Sequence, residues 1–284
     1  MKEDEKKIGK KPDYIISDND TKLRKAIVNY GVTHILDAGH TLAMLLKRVY
    51  DKETDFIEFF KQISKVKIKE VMSSCSYLSP PRQRTISRFM NLSTTVFWCD
   101  KIIKAFETFT EEEKRVYRFV VENKDLVAEL HFVFECVNNI LSNIKSAGLS
   151  YNSIGAAIAL INSKLKDKNK RTTKFAVSAI NYLLKEAVKL PNSEAIFNSS
   201  SDMIESVFGC YKLRKSRNAL HGVTTYALIL PLITKMKDSG KGIDTDFKAN
   251  LEEVYMKDLL LWKNDKLTEN QAIKRRKNSL LEGI

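Results

Sequence analysis

The chain has 284 residues, 43% hydrophobic and 29% charged, enough to bury a full core as one large domain or two small ones. No stretch approaches the roughly 20 uninterrupted apolar residues of a membrane span, and the charged start MKEDEKKIGKK has no apolar h-region, so neither a transmembrane protein nor a secretory leader is expected. Lys+Arg 48 against Asp+Glu 35 leaves +13, a balance that attracts polyanions, nucleic acid above all, or else marks a solvated basic surface.

The first elements read β-α-β-α. "YIIS" (14–17) has the β-branched character of a strand, and "TKLRKAIVNYG" (21–31) the spacing of a helix, with Leu23, Ala26, Ile27 and Tyr30 on one face and Gly31 as its stop. "VTHIL" (32–36) is a second strand, and "HTLAMLLKRVY" (40–50) returns to helical spacing. Two short strands joined through a helix predict a parallel pair with a right-handed crossover.

From about 54 to 195 only helical patterning is present, through "DFIEFFKQISKV", "STTVFWCDKIIKAFETF" and a long run from Glu111 that breaks once. "YLSPPRQR" (77–84) and "GLSYNS" (148–153) mark turns. Residues 164–174, "KLKDKNKRTTK", carry a basic run that includes Lys168, Lys170 and Arg171. After it come "DMIESVFGCYKLRKSRNALHG", an apolar helix at 223–236 and a basic tail with Lys274–Lys277. Cys75, Cys99, Cys136 and Cys210 form no CxxC pair, which excludes a zinc ribbon and points to reduced core thiols. The expected class is α/β with a large all-α insertion, mostly helical overall. Its divisions are 1–53, 54–195 and 196–284.

Chemistry in parallel α/β sheets collects at the carboxyl ends of the strands. Asp18 and Asp20 follow the first strand, Asp37 follows the second, and His40 stands one helical turn beyond Asp37. Such carboxylates suit a hard divalent cation that keeps positions open for water and phosphate. The same aspartates are also good helix N-caps, and His40 is equally a structural histidine. Glu205, in "SSSDMIESVFGCYK", is either the end of a capping box from Asp202 or a site carboxylate. Lys212, Arg214, Lys215 and Arg217 follow it, and no acid occurs from 206 to 237. Carboxylates followed by a basic run fit a metal-dependent phosphodiester site on a cationic surface.

On these residues a family resemblance rests. "PDYIISDNDTKLRKAI" resembles the second-aspartate strand and following helix of DDE transposases with an RNase H-like fold. "LDAGH" resembles the (C/D)xxH motif of the Mutator-like and hAT-like groups, and "SSDMIESVFGCYK" is similar to the catalytic-glutamate helix of insertion-sequence transposases. The resemblance implies a partial RNase H-like fold with a helical insertion. It implies Asp18 and Glu205 as catalytic, metal-binding carboxylates, and Asp37 and His40 as residues that orient the site. Mg²⁺ or Mn²⁺ would be the cofactor. DNA (element ends and target) would be the partner, held by Lys212, Arg214, Lys215, Arg217, Lys168, Lys170 and Arg171. The complete protein would be a homo-oligomer and cytoplasmic, associated with the nucleoid, with no membrane partner.

The resemblance also implies that the family's first aspartate lies on strands absent before "YIIS", so that this chain alone is expected to be inactive. Two alternatives remain open on the residues: a non-catalytic, transposase-derived DNA-binding or interaction protein, and a DxD glycosyltransferase using Asp18 and Asp20. The second leaves Glu205, the helices and the basic runs without a role.

Overall fold

The computed structural model describes residues 5–6, 9–69, 75–81, 89, 92–214 and 255–266. The described part is mostly helical, with one two-stranded sheet. β1 (Tyr14–Ser17) and β2 (Thr33–Leu36) pair in parallel, Ile15 opposite His34 and Ile16 opposite Ile35. Between them runs α1 (Thr21–Tyr30), which Gly31 ends at φ 72°, its N–H donating to the Val28 carbonyl. The βαβ reading of the first residues is therefore correct. An RNase H-like sheet would need more strands than the two seen among the described residues.

α2 (Ala38–Tyr50) begins two residues earlier than the apolar spacing indicates. The reason is local: the Asp37 carboxylate accepts the His40 N–H at 2.7 Å and starts the helix immediately after the strand. α3 (Thr54–Lys69) buries Phe56, Phe59, Phe60 and Ile63, an i, i+3, i+4, i+7 stripe. α4 (Leu92–Ala105), α5 (Glu111–Glu122) and α6 (Lys124–Ala147) follow. The expected single break in the long periodic run falls at Asn123, whose side-chain amide donates to the Phe119 carbonyl at 2.8 Å. α7 (Tyr151–Lys164) and α8 (Lys170–Ala187) each open with a capping box, from Ser150 and from Asn169.

The chain divides into two compact units, 1–200 and 201–284. Within the first, the strands and helices share one core: Ile35, Leu42 and Leu46 join the same buried cluster as Phe56, Leu130, Ile161 and Phe175. The α/β start and the helical block are thus one body, not two. In the second unit, α9 (Asp202–Arg214) and α10 (Met256–Lys266) are described.

The outer edge of β2 is closed by side chains of α8 and the turn after it. Glu186, 1% exposed, accepts the Leu36 N–H at 3.3 Å, and Lys189 donates to the His34 carbonyl at 2.7 Å. Lys189 also pairs with Glu186 at 2.6 Å, so the buried carboxylate has its counter-charge. A second clamp joins α3, α6 and α8. Arg171 reaches Asp55 at 2.7 Å and Glu129 at 3.0 Å, and Tyr50 donates to Glu129 at 2.8 Å.

After α8 the chain returns to the sheet. Phe197 exchanges two backbone hydrogen bonds with Leu149 and stacks on Tyr14 at 4.2 Å between ring centroids. The Asn198 N–H donates to the Tyr14 hydroxyl, and the Ser199 carbonyl accepts from the Ala38 N–H, both at 2.9 Å. This strap depends on Gly148, which stands at φ 75°, ψ 172°, a conformation open to glycine alone.

Alanine at Gly148 would carry a Cβ into the Ile196 side chain and to 3.3 Å from the Phe197 carbonyl. Gly148→Ala should cost about 1–3 kcal/mol in urea unfolding. Gly155→Ala, on α7 with open space around it, should be neutral or stabilising by up to about 1 kcal/mol. Equal effects at the two positions would show that the strap adds nothing to stability.

Candidate functional site

A groove of about 500 Å³ lies at the carboxyl end of β1, between the 18–21 loop and one stripe of α2. Asp18, Asn19, Asp20 and Thr21 line one wall. The other consists of His40, Thr41, Met44, Leu45 and Arg48. Positions 40, 44 and 48 recur every four residues, so they lie along one face of the helix. The stripe runs from polar at His40 and Thr41, through apolar at Met44 and Leu45, to cationic at Arg48. About 12 Å separates its ends at 1.5 Å per residue.

The structure separates the roles of the three aspartates. Asp20 is the N-cap of α1: one carboxylate oxygen accepts the Lys22 N–H at 2.8 Å and the Leu23 N–H at 3.1 Å. Asp37 is the N-cap of α2 and is only 3% exposed. Asp18 is exposed at the groove, and its carboxylate receives a single long bond, from the Asp20 N–H at 3.4 Å. Asp18 and His40 therefore line one groove, while Asp37 is buried as a cap.

Asp18 is held at its backbone by a relay across the sheet. Ser17 Oγ donates to the Asp18 carbonyl at 2.9 Å and lies 2.8 Å from His34 Nε2. With the single hydroxyl proton directed at Asp18, the imidazole is the donor to Ser17. Burial, and then the neighbouring Lys189 and Arg24, hold His34 below the usual histidine range, while Asp18 opposes them.

Glu205 belongs to the second unit, on the first turns of α9. Its N–H donates to the Ser201 carbonyl, and its carboxylate accepts from Ser201 Oγ at 3.1 Å. These bonds tie Glu205 to Ser201, one residue before the Asp202 of the capping-box spacing. The chain that leads into α9 leaves the first unit at Ser199 and Ser200, and Ser199 is bonded to Ala38, the residue after Asp37.

Of the basic residues, Lys168, Lys170 and Lys174 are exposed around the start of α8. Arg171, counted with them in the sequence, instead turns inward to Asp55 and Glu129. Lys212 and Arg214 fall on the last turn of α9, and Lys215, Arg217 and Lys274–Lys277 lie outside the described residues. The sequence reading did not single out Asn19, Thr21, Met44 or Arg48. The four-residue recurrence His40–Met44–Arg48 was the available signal.

The donor set for Mg²⁺ or Mn²⁺ is incomplete among the described residues. No group of three or more His, Cys, Asp or Glu side chains stands together to hold a metal, and both Asp20 and Asp37 are engaged as caps. No described helix is long and apolar enough to cross a membrane. No protein-family model matches the chain, and no curated protein or solved structure matches it either.

A histidine held below its ordinary pKa favours folding while it is neutral. Stability should be full above about pH 6.5 and fall as the pH drops below that value, because the unfolded chain then takes up a proton that folded His34 resists. Urea midpoints at pH 8 and pH 5.5 should differ more for the native chain than for His34→Gln. An identical pH dependence in the two would remove His34 from the account.

Proposed function

We propose that the chain serves DNA transposition as part of a DDE-type transposase, acting on phosphodiester ends. The observation that carries this reading is the carboxylate at the strand end. Asp18 is exposed there on a groove that it shares with His40. Parallel strands, a helical block and a glutamate helix follow in the order the resemblance requires. Capping alone explains Asp20 and Asp37. It does not explain an exposed Asp18 on a cleft.

In this reading the chain's own residues bind and orient. Exposed Lys168, Lys170 and Lys174 neutralise backbone phosphates, releasing counterions. The Ser17–His34 relay fixes the strand end that presents Asp18. A second reading, DNA binding without cleavage, is favoured by the incomplete donor set among the described residues.

Fluorescence anisotropy on duplex DNA across a salt series tests both readings. Affinity should fall steeply with salt. Replacing Lys168, Lys170 and Lys174 with alanine should make the log–log slope shallower by up to about 3, near 0.9 for each phosphate that is no longer neutralised. Asp18→Asn should leave affinity unchanged or slightly tighter. No affinity at low salt defeats the proposal. Strand nicking with Mg²⁺ or Mn²⁺ that vanishes in both Asp18→Asn and Glu205→Gln supports the transposase reading. Nicking that persists in both places the chemistry elsewhere, and its complete absence leaves binding alone.

A further inference from the structure

The groove along α2 has a graded chemistry that its neighbours do not require. Met44 is 49% exposed, and Arg48 is exposed and forms no ion pair with any described residue. A helix supported by its buried face, through Leu42, Leu46 and Val49, gains nothing from an exposed apolar side chain and an exposed guanidinium on the wall of a cleft. The two helix N-termini at the groove are already answered by Asp20 and Asp37. What remains for a ligand is Asp18 and Asn19 on one wall and, on the other, the apolar pair Met44 and Leu45 followed by the cation Arg48.

We propose that this groove is a subsite for one unpaired nucleotide, its base against Met44 and Leu45 and its phosphate on Arg48. The inference rests on the DNA reading above and adds to it the form in which DNA enters. A cleft of about 500 Å³ is within the range of small-ligand pockets and far too small for a duplex. A base that leaves the stack needs an apolar surface for its face and hydrogen-bonding groups for its edge. Met44 and Leu45 supply the first, and Asn19, Asp18 and Thr21 the second. An arginine fork binds phosphate oxygens in a way that a carboxylate-lined wall alone cannot. The polar, apolar and cationic positions are spread over about 12 Å of helix, a span suited to one nucleotide with its phosphate.

The experiment compares two duplexes of equal length and sequence by anisotropy, one blunt and one carrying a single unpaired 3′ nucleotide. The native chain should bind the second more tightly by several fold. Arg48→Ala and Met44→Asp, both at exposed positions and checked for folding by circular dichroism, should each reduce that preference, Arg48→Ala bringing the two affinities close to equal. Both variants should keep their affinity for the blunt duplex within a factor of about two, because the lysines of α8 are untouched. As a second readout, titration with deoxyadenosine monophosphate should shift the Met44 methyl signal, and less so in Arg48→Ala. Equal affinity of the native chain for the two duplexes overturns the subsite while the DNA reading stands. A preference that survives in both variants places the unpaired nucleotide elsewhere and overturns it too. Loss of affinity for every DNA defeats the functional reading itself.

Discussion

Everything near the groove depends on how α8 and the turn after it close the outer edge of β2. Two short parallel strands bury too little to hold themselves together. Here Glu186 takes the Leu36 N–H and Lys189 gives its ammonium to the His34 carbonyl, so side chains act where a third strand would. Tyr182, on the preceding turn of α8, adds a long bond to the Leu36 carbonyl at 3.5 Å. At 1% exposure the Glu186 carboxylate is matched by the Lys189 ammonium and by the peptide N–H it accepts. Breaking this pair would leave an uncompensated buried charge against the strand that ends in Asp37.

From that anchor the geometry of the site follows step by step. β2 fixes Asp37, Asp37 starts α2, and α2 places His40, Met44 and Arg48 along one wall. The opposite wall is set by β1, whose ladder to β2 runs on to the bond from the Asp37 N–H to the Ser17 carbonyl. The strap adds a third constraint, since Ser199 holds the first residue of α2 while Phe197 and Asn198 hold Tyr14. With both helix N-termini capped, the groove sets the exposed Asp18 carboxylate on one wall against the Arg48 guanidinium on the other. That contrast, not an overall acidic or basic character, is what a ligand would read.

What was legible in the sequence was local. The parallel strands, the Gly31 stop, the break at Asn123 and the caps at Asp20 and Asp37 each follow from residues within a few positions of one another. Arg171 shows where such reading ends. Its place in "KLKDKNKRTTK" suggests a phosphate contact, but its partners lie at Asp55 and Glu129, 116 and 42 residues away. Glu186 was silent for the same reason, at 150 residues from Leu36. Asp18 shares its charge and its loop with Asp20, and only the position of the backbone N–H groups separates a cap from an exposed carboxylate.

The two edges of the small sheet are not equivalent. Because the Asp37 N–H bonds the Ser17 carbonyl, Ser17 and Ile15 direct their backbone groups toward β2, and Tyr14 and Ile16 direct theirs away. On β2 the corresponding outward groups, at His34 and Leu36, are taken by Lys189, Glu186 and Tyr182. Among the described residues nothing comparable meets the outward groups of β1. Its entry carries Lys11, Pro12 and Asp13, residue types that discourage indiscriminate pairing along an exposed strand. Among the described residues the ladder is thus closed on the side that faces the helical block and open along β1, the strand that presents Asp18. A strand that joined the sheet at that edge would extend the ladder from the strand that leads into the groove-lining loop.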